Sequence, residues 1–437
     1  MRLAAIAAAL LVAAPALAHA QDGALGAPAP DGAPGAAQPT TSGANQKEAL
    51  HFAGGRIHQA IGFGNTYLVT TRAGDVVIDT SSAQPARRHR ELLRTVSKAP
   101  VRYIVLTHAH GDHTGGVPLW REAGTKVVEQ ANSVEFRNYM TRLSGFYTRR
   151  NAAQFGLSPE ARGGENPNPG NHAAPRLADV LFEHETTFKV GDLTFRVLAT
   201  PGETPDHATV WIPELKAAFV GDNFYDSFPN LYTLRGTPTR KALDYVESID
   251  KVLALNPEIM LPSHGRPVVG AAEVRRQLTQ YRDAILYVHD ATVRGMNEGK
   301  GVFELMRTVK LPPALDVGEG YGQIAWSVRG IYEGYAGWFD GDAATMYAVS
   351  PAEAEAELVA LGGGAAPIAL RARAILAGGK PALALRLTSA ALAAEPGHRD
   401  SLMVRKAALQ ALLAQSRNSN ESGWLRAAIA QADAGLR

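Results

Sequence analysis

Residues 107–116 read THAHGDHTGG, with three histidines and an aspartate inside six positions and two glycines behind them. The segment follows VRYIVL, residues 101–106, a short apolar and β-branched run that predicts a buried strand. His108 and His110 are two apart, so on extended backbone their side chains share a face and can hold one ion. Asp112 and His113 follow where the chain turns, and can point to a second ion beside the first. Gly115 and Gly116 let the backbone pass close to the pair before a helix begins. Imidazole and carboxylate are ligands that zinc accepts. With 13 histidines in 437 residues, three in six positions weigh against a polar surface loop that is merely rich in histidine.

Working outward, the composition narrows the chemistry. There are no cysteines, so a disulfide framework is excluded and any metal must be held by His, Asp or Glu. Lys and Arg number 44 against 42 Asp and Glu, and this balance gives no reason to expect nucleic acid or an anionic membrane as partner. The first twenty residues, MRLAAIAAALLVAAPALAHA, have a basic start at Arg2, an apolar run from Leu3 to about Leu17, and Ala18-His19-Ala20 as a cleavage site. The run is shorter than the roughly 20 residues of a membrane span. We therefore expect a signal peptide over 1–20, no stable membrane anchor, and an exported protein, periplasmic in a Gram-negative bacterium. Residues 21–49 are rich in Gly, Ala and Pro and predict a flexible leader, with order beginning near Leu50.

From there strands and helices alternate. GNTYLVTTRAGDVVIDTSS predicts a hairpin turning at Ala73-Gly74-Asp75, and AQPARRHRELLRTVSK a helix. A second strand-rich stretch occupies 181–222. A helix around 239–255 and the strand EIMLPSH follow it. Two similar passes of this kind predict an α/β sandwich, two sheets face to face with helices outside, over 50–268. Beyond it, 269–437 reads as all helical, including 270–298, 322–338, 351–361 and a tail hairpin broken at Glu395-Pro396-Gly397 that resembles one tetratricopeptide-like pair.

HxHxDH is the signature of the metallo-β-lactamase superfamily, which the chain resembles from about residue 51 to 268. The resemblance implies an αββα sandwich with two zinc ions and further ligands at later strand ends. Ala199-Thr200-Pro201-Gly202-Glu203 carries Glu203 where a typical member has histidine. Asp222 in Gly221-Asp222 matches the bridging aspartate, and His264 in Ser263-His264-Gly265 matches the last ligand. The implied site has His108, His110 and Glu203 on one zinc, Asp112, His113 and His264 on the other, and Asp222 between them. His207 reads as a supporting residue rather than a ligand.

Glu203 and the block Asn230-Leu231-Tyr232-Thr233-Leu234-Arg235-Gly236 resemble the alkyl sulfatase branch, as do LPPALD at 311–316 and YAGWFDG at 335–341. Two departures stand out: Asp222 where many of those enzymes have Glu, and no C-terminal lipid-carrier-like domain before Arg437, so a preference for long alkyl chains is not expected. The branch implies a helical dimerisation region and a homodimer, with the aromatic group Tyr321, Trp326, Tyr332, Tyr335, Trp338 and Phe339 in it. Two zinc ions bring four positive charges, and Asp112, Glu203, Asp222 and a hydroxide bring four negative ones. A formally neutral centre attracts an anion weakly, so a small anionic sulfate ester needs a cation from the protein. Arg235 offers the planar fork that fits two sulfate oxygens, and Asn230 a further hydrogen bond. The expected function is zinc-dependent hydrolysis of sulfate esters. Hydrolysis of a β-lactam, lactone or thioester on the same fold is the second reading, and a non-catalytic scaffold using the helical tail is the third.

Overall fold

The structure, a computed structural model, describes residues 43, 45–155 and 176–437. The predicted signal peptide and most of the predicted leader lie outside the described residues. Ordered strands begin at Leu50, and the residues just before it are tied down: the Gln46 side chain donates to the Gln59 carbonyl and accepts from the Ile61 amide.

Two sheets form the predicted sandwich. The first runs in chain order through β1 (Leu50–Phe52), β2 (Ile57–Ala60), β3 (Thr66–Thr71), β4 (Gly74–Ile78), β5 (Val101–Val105), β6 (Lys126–Gln130) and β7 (Val180–Phe182). Its β1 to β4 neighbours are antiparallel and its β4 to β7 neighbours parallel. The second contains β8 (Glu185–Val190), β9 (Leu193–Ala199), β10 (Ala208–Ile212), β11 (Ala217–Gly221), β12 (Ile259–Pro262) and β13 (Val268–Val269), ordered 13-12-11-10-9-8. The predicted hairpin is present, but its turn sits at Arg72-Ala73 and Gly74 opens β4, with φ at 124°. Thr71 closes it, its hydroxyl donating to the Gly74 carbonyl and accepting from the Ala73 amide.

Alternation decides which side chains fill which layer. Tyr67, Val69, Val76, Ile78 and Val105 point inward and meet Phe195, Val197, Val210, Phe219 and Leu261 of the other sheet. The residues between them, Leu68, Val77 and Ile104, face outward and pack on Leu93 and Trp120, Leu93 ending the helix Ala83–Leu93. On the opposite side Trp211, Ala218 and Met260 pack on Tyr245, Leu278, Ile285 and Val328, from helices Ala242–Leu255, Ala271–Asn297 and Ile324–Ala336. Each fully buried side chain of this size contributes about 1.5–3 kcal/mol. The three layers of apolar contact therefore fix the strands and present the loops after β4, β5, β9, β11 and β12 together.

The helical region continues through Pro351–Leu361, Ala365–Ala377, Pro381–Ala394, Arg399–Gln415 and Ser419–Leu436, with successive helices packed on one another and the predicted break at 395–397. Its last helix returns to the sandwich. It packs on Ser144–Phe155, so closely that a Cβ on Gly423 would stand 1.7 Å from the Gln154 carbonyl oxygen. Helices Ser133–Arg142 and Ser144–Phe155 went unread in the sequence, although they flank the site. Among the described residues no single helix is long and apolar enough to cross a membrane.

Candidate metal centre

β5 ends at Val105 and delivers His108 and His110 on extended backbone, with φ −64° and ψ 148° at His110. Their rings face each other, His108 Nε2 lying 2.9 Å from His110 Nδ1. Two such nitrogens in contact require a shared proton or a shared cation. A short helix, Gly111–Thr114, then turns Asp112 and His113 inward. Close packing dictates the glycines around it: a Cβ on Gly64 would stand 2.0 Å from the Asp112 carbonyl oxygen, and one on Gly116 2.2 Å from that of Thr80.

The predicted ligands gather in two buried groups, His108, His110 and Asp222 in one and Asp112, His113 and His264 in the other. Asp222 touches both: its Oδ2 lies 3.6 Å from His108 Nε2, 3.5 Å from His113 Nε2 and 3.2 Å from His264 Nε2. It also accepts from the Tyr225 hydroxyl at 2.8 Å. Glu203 is buried beside this centre but falls in neither group. Its Oε2 is taken by the Arg240 guanidinium and by the Tyr245 hydroxyl, the latter at 2.8 Å. The formally neutral centre expected from the sequence therefore needs correcting, because buried Arg240 adds a positive charge next to Glu203.

Asp79, at the end of β4, was not singled out in the sequence, yet it organises the loop. Its Oδ1 accepts from the Thr107 amide at 2.8 Å, and its Oδ2 from the Thr107 hydroxyl, His113 Nδ1 and the Ser263 hydroxyl. With its proton given to Asp79, Thr107 Oγ can accept from His108 Nδ1 at 3.1 Å. This network assigns the Nδ1–H tautomer to both His108 and His113 and leaves their Nε2 lone pairs to the centre. A second buried carboxylate, Asp206, accepts from the Ala109 amide between the two histidines, and burial pushes its pKa up to about 6. His207 is held as the sequence reading has it: Nδ1 donates to the Thr200 carbonyl at 3.0 Å and Nε2 accepts from the Asp222 amide at 3.0 Å. Burial lowers its pKa to about 4, so it stays neutral in that role.

The electrostatics call for cations. Burial opposes charge on His113, but Asp222, Asp112 and Asp79 outweigh it and hold the imidazole well above its ordinary range. His264 is likewise raised, to about 10, burial again being outweighed, chiefly by Asp222. Among the described residues, His113 Nε2 and Asp222 Oδ1 are buried at the centre without a hydrogen-bond partner. Buried polar atoms are rarely left unmatched, and these nitrogen and oxygen donors are of the kind that binds zinc. The residues present thus fit a metal centre.

Beside the centre, segment 230–240 carries further unmatched groups. The Asn230 amide, Thr233 Oγ, and Arg240 Nε and Nη2 are buried without partners among the described residues. Arg235 is half-buried and forms no ion pair with a described residue. It is close enough to His110 for its charge, after burial, to lower the pKa of that ring. Aromatic rings complete the surroundings: Phe136 lies 5.4 Å from His110, and Phe63 5.4 Å from His264. Tyr321, expected in the dimerisation group, instead packs on Tyr225 with ring centres 5.0 Å apart.

Comparison with known proteins agrees with this architecture. Residues 60–264 match the metallo-beta-lactamase superfamily and residues 302–434 the alkyl sulfatase dimerisation family. A linear primary-alkylsulfatase from Pseudomonas is 33% identical over 323 residues, taking in 68% of this chain and 60% of that protein. An (R)-specific secondary-alkylsulfatase from Pseudomonas is 27% identical over 384 residues, taking in 81% of this chain and 58% of that protein. The chain therefore spans about three fifths of the length of these relatives. The solved structure of a double mutant of the sec-alkyl sulfatase PisA1 shares the fold, with a TM-score of 0.78 and 24% identity over 87% of this chain and 64% of that one. The chain belongs to the metallo-beta-lactamase superfamily, with an alkyl sulfatase dimerisation region following its sandwich.

Proposed function

We propose that the chain is a zinc-dependent hydrolase of sulfate esters, exported and working as a homodimer. His108, His110 and Asp222 would hold one ion and Asp112, His113 and His264 the other, with Glu203 as a further ligand. When bound, two such ions supply Lewis acidity and an acidified water at neutral pH.

The chain's own residues do the rest. Asp79 holds the His108 and His113 rings in one tautomer, and Asp206 fixes the backbone between His108 and His110. The observation that carries the reading is Arg235, which has no carboxylate partner among the described residues and stands beside the centre, together with polar atoms on Asn230, Thr233 and Arg240 that are unmatched among those residues. An anion with several acceptor oxygens satisfies such a set, and a planar guanidinium binds two of them at once. The likeness to curated alkylsulfatases supports the sulfate ester as that anion.

Dimerisation is supported by an apolar surface at the edge of the helical region. Residues 334–350 are exposed throughout, and Trp338 is 77% exposed, Tyr347 68% and Leu361 86%. Large apolar side chains exposed together in this way often mark an interface.

The test is Arg235→Ala in zinc-loaded protein. Charge-assisted hydrogen bonds are worth roughly 1.5–3 kcal/mol each, so losing two slows sulfate-ester turnover on the order of a hundredfold to ten-thousandfold. Metal content stays unchanged, and Arg235→Lys recovers part of the rate. An unchanged ratio of octyl sulfate to neutral lactone turnover would move the assignment to a lactam, lactone or thioester hydrolase.

A further inference from the structure

Arg235 stands on a turn that has its own support. Gly236 donates to the Thr233 carbonyl at 3.0 Å, with φ at 95°. The two carbonyls before it are both taken by one side chain: Arg150 Nε donates to Arg235 O at 2.7 Å, and Arg150 Nη2 to Leu234 O. Arg150 belongs to helix Ser144–Phe155, more than eighty positions earlier. Its guanidinium lies over the ring of Phe146, 5.1 Å from the centre, and over the ring of Trp424, 5.2 Å away. Trp424 is on the last helix of the chain, and its indole N–H donates to Gln154 Oε1 at 3.2 Å. That helix is further fixed by Asn418, whose amide donates to the carbonyls of Glu319, Tyr321 and Gly322, and Tyr321 packs on Tyr225 at the metal centre.

We infer that Arg150 and Trp424 are positioning residues for Arg235, so that docking of the C-terminal helix sets the geometry of anion recognition. The inference rests on the reading of Arg235 as the sulfate-binding residue. The chemistry supports a directional link. A guanidinium donating to consecutive carbonyls holds the local backbone in a rigid fork, and aromatic faces on its π surface keep the fork from rotating. Among the described residues Arg150 touches the turn and the rings of Phe146 and Trp424, and Trp424 touches Gln154 and Arg150, so their effect passes through the turn. A misplacement of about 1 Å at a recognising group costs up to about a hundredfold in rate.

The test is a double-mutant cycle on octyl sulfate with metal content followed in parallel. Arg150→Ala should leave both metals bound and lower kcat/KM about ten- to a hundredfold, while Arg150→Lys, which keeps one donor and the charge, recovers part. Trp424→Ala should act in the same direction and Trp424→Phe, which keeps an aromatic face, much less. In an Arg235→Ala background Arg150→Ala should cost less than about twofold more, because its route to the substrate is gone. An equal factor in both backgrounds would overturn the inference. Amide exchange over residues 232–236 checks the positioning without turnover. It should quicken in Trp424→Ala and in Arg150→Lys, and unchanged exchange in both would also overturn it. If Arg235→Ala alone leaves octyl sulfate hydrolysis intact while the exchange changes as expected, it is the sulfate reading that fails and the support of the turn that stands.

Discussion

Replacing Arg240 by Met isolates the most costly arrangement in the site. The Arg240 and Glu203 side chains are each 2% exposed, and the guanidinium donates to Glu203 Oε2 and, at 2.9 Å, to the Asn230 carbonyl. Removing the cation leaves a buried carboxylate with the Tyr245 hydroxyl as its hydrogen-bond donor among the described residues and the charge of Arg235 as partial compensation. Breaking a buried pair from one side costs about 3–5 kcal/mol. At roughly 2–4 °C per kcal/mol for a domain of this size, the metal-free protein should melt about 6–20 °C lower. Adding Glu203→Gln to Arg240→Met removes the orphaned charge while keeping an acceptor for Tyr245, and should recover about half of the loss or more. Differential scanning of chelated and zinc-loaded samples separates the roles of the carboxylate. If Glu203 also holds an ion, the deficit of Arg240→Met shrinks when zinc is present. A melting point within about 2 °C of wild type in chelator, with no gain from Glu203→Gln, would refute the reasoning.

Three other predictions follow from the same geometry. Asp79→Asn removes the anionic acceptor of His113 Nδ1 and of the Thr107 hydroxyl, so metal affinity measured against a competing chelator should fall about 10- to 100-fold; unchanged affinity counts against its organising role. His89 is buried, bonded to Thr66 Oγ and the Ile61 carbonyl, and burial lowers its pKa from 6.5 to about 4. The neutral ring is the form the fold accepts, so its contribution, at most about 3 kcal/mol, is present above pH 6.5 and is lost as pH falls toward 4; denaturant titrations should show a shallower acid limb in His89→Gln. Sedimentation at micromolar concentration should give a dimer, and Trp338→Ser with Leu361→Ser should shift it toward monomer while leaving the melting of the sandwich unchanged.

The sandwich was legible because its signals are local. A β-branched run leading into His108, alternating strands and a late Ser-His-Gly can each be read within a few residues, and six of the seven ligands expected from them lie in two groups, with Glu203 in neither. What escaped the reading is long-range. Arg240 and Glu203 are 37 positions apart, Asp79 and Ser263 184, and Trp424 and Gln154 270. No spacing rule connects such pairs, since only the packed sheets and the returning last helix bring them within reach. Asp79 did leave a trace, being an acidic residue at the end of an apolar strand, VVIDTSS, where a buried carboxylate needs several donors. Helices Ser133–Arg142 and Ser144–Phe155 left less, because their exposed and half-buried residues outnumber the buried ones and blur the apolar stripe.

Glu203 and Arg240 together change how the centre's charge is understood. Exchanging a neutral histidine for a carboxylate, taken alone, removes the positive charge that would draw an anion in. A carboxylate buried to this depth cannot stand alone either, because the desolvation cost falls on the charged form. Burial raises the Glu203 pKa, and Arg240 is the first group that works against that rise. Arg240 therefore returns the lost charge, but in a different place. It sits on the segment that also carries Asn230, Thr233 and Arg235, and it keeps Nε and Nη2 free of partners among the described residues. Arg240 thus places a buried positive charge among the groups suited to oxygen-rich anions. A histidine at position 203 would leave Arg240 buried without its partner. Glu203 and Arg240 thus act as one unit, and Glu203→His should be tolerated far better with Arg240→Met than without it, a comparison that metal content and melting temperature decide.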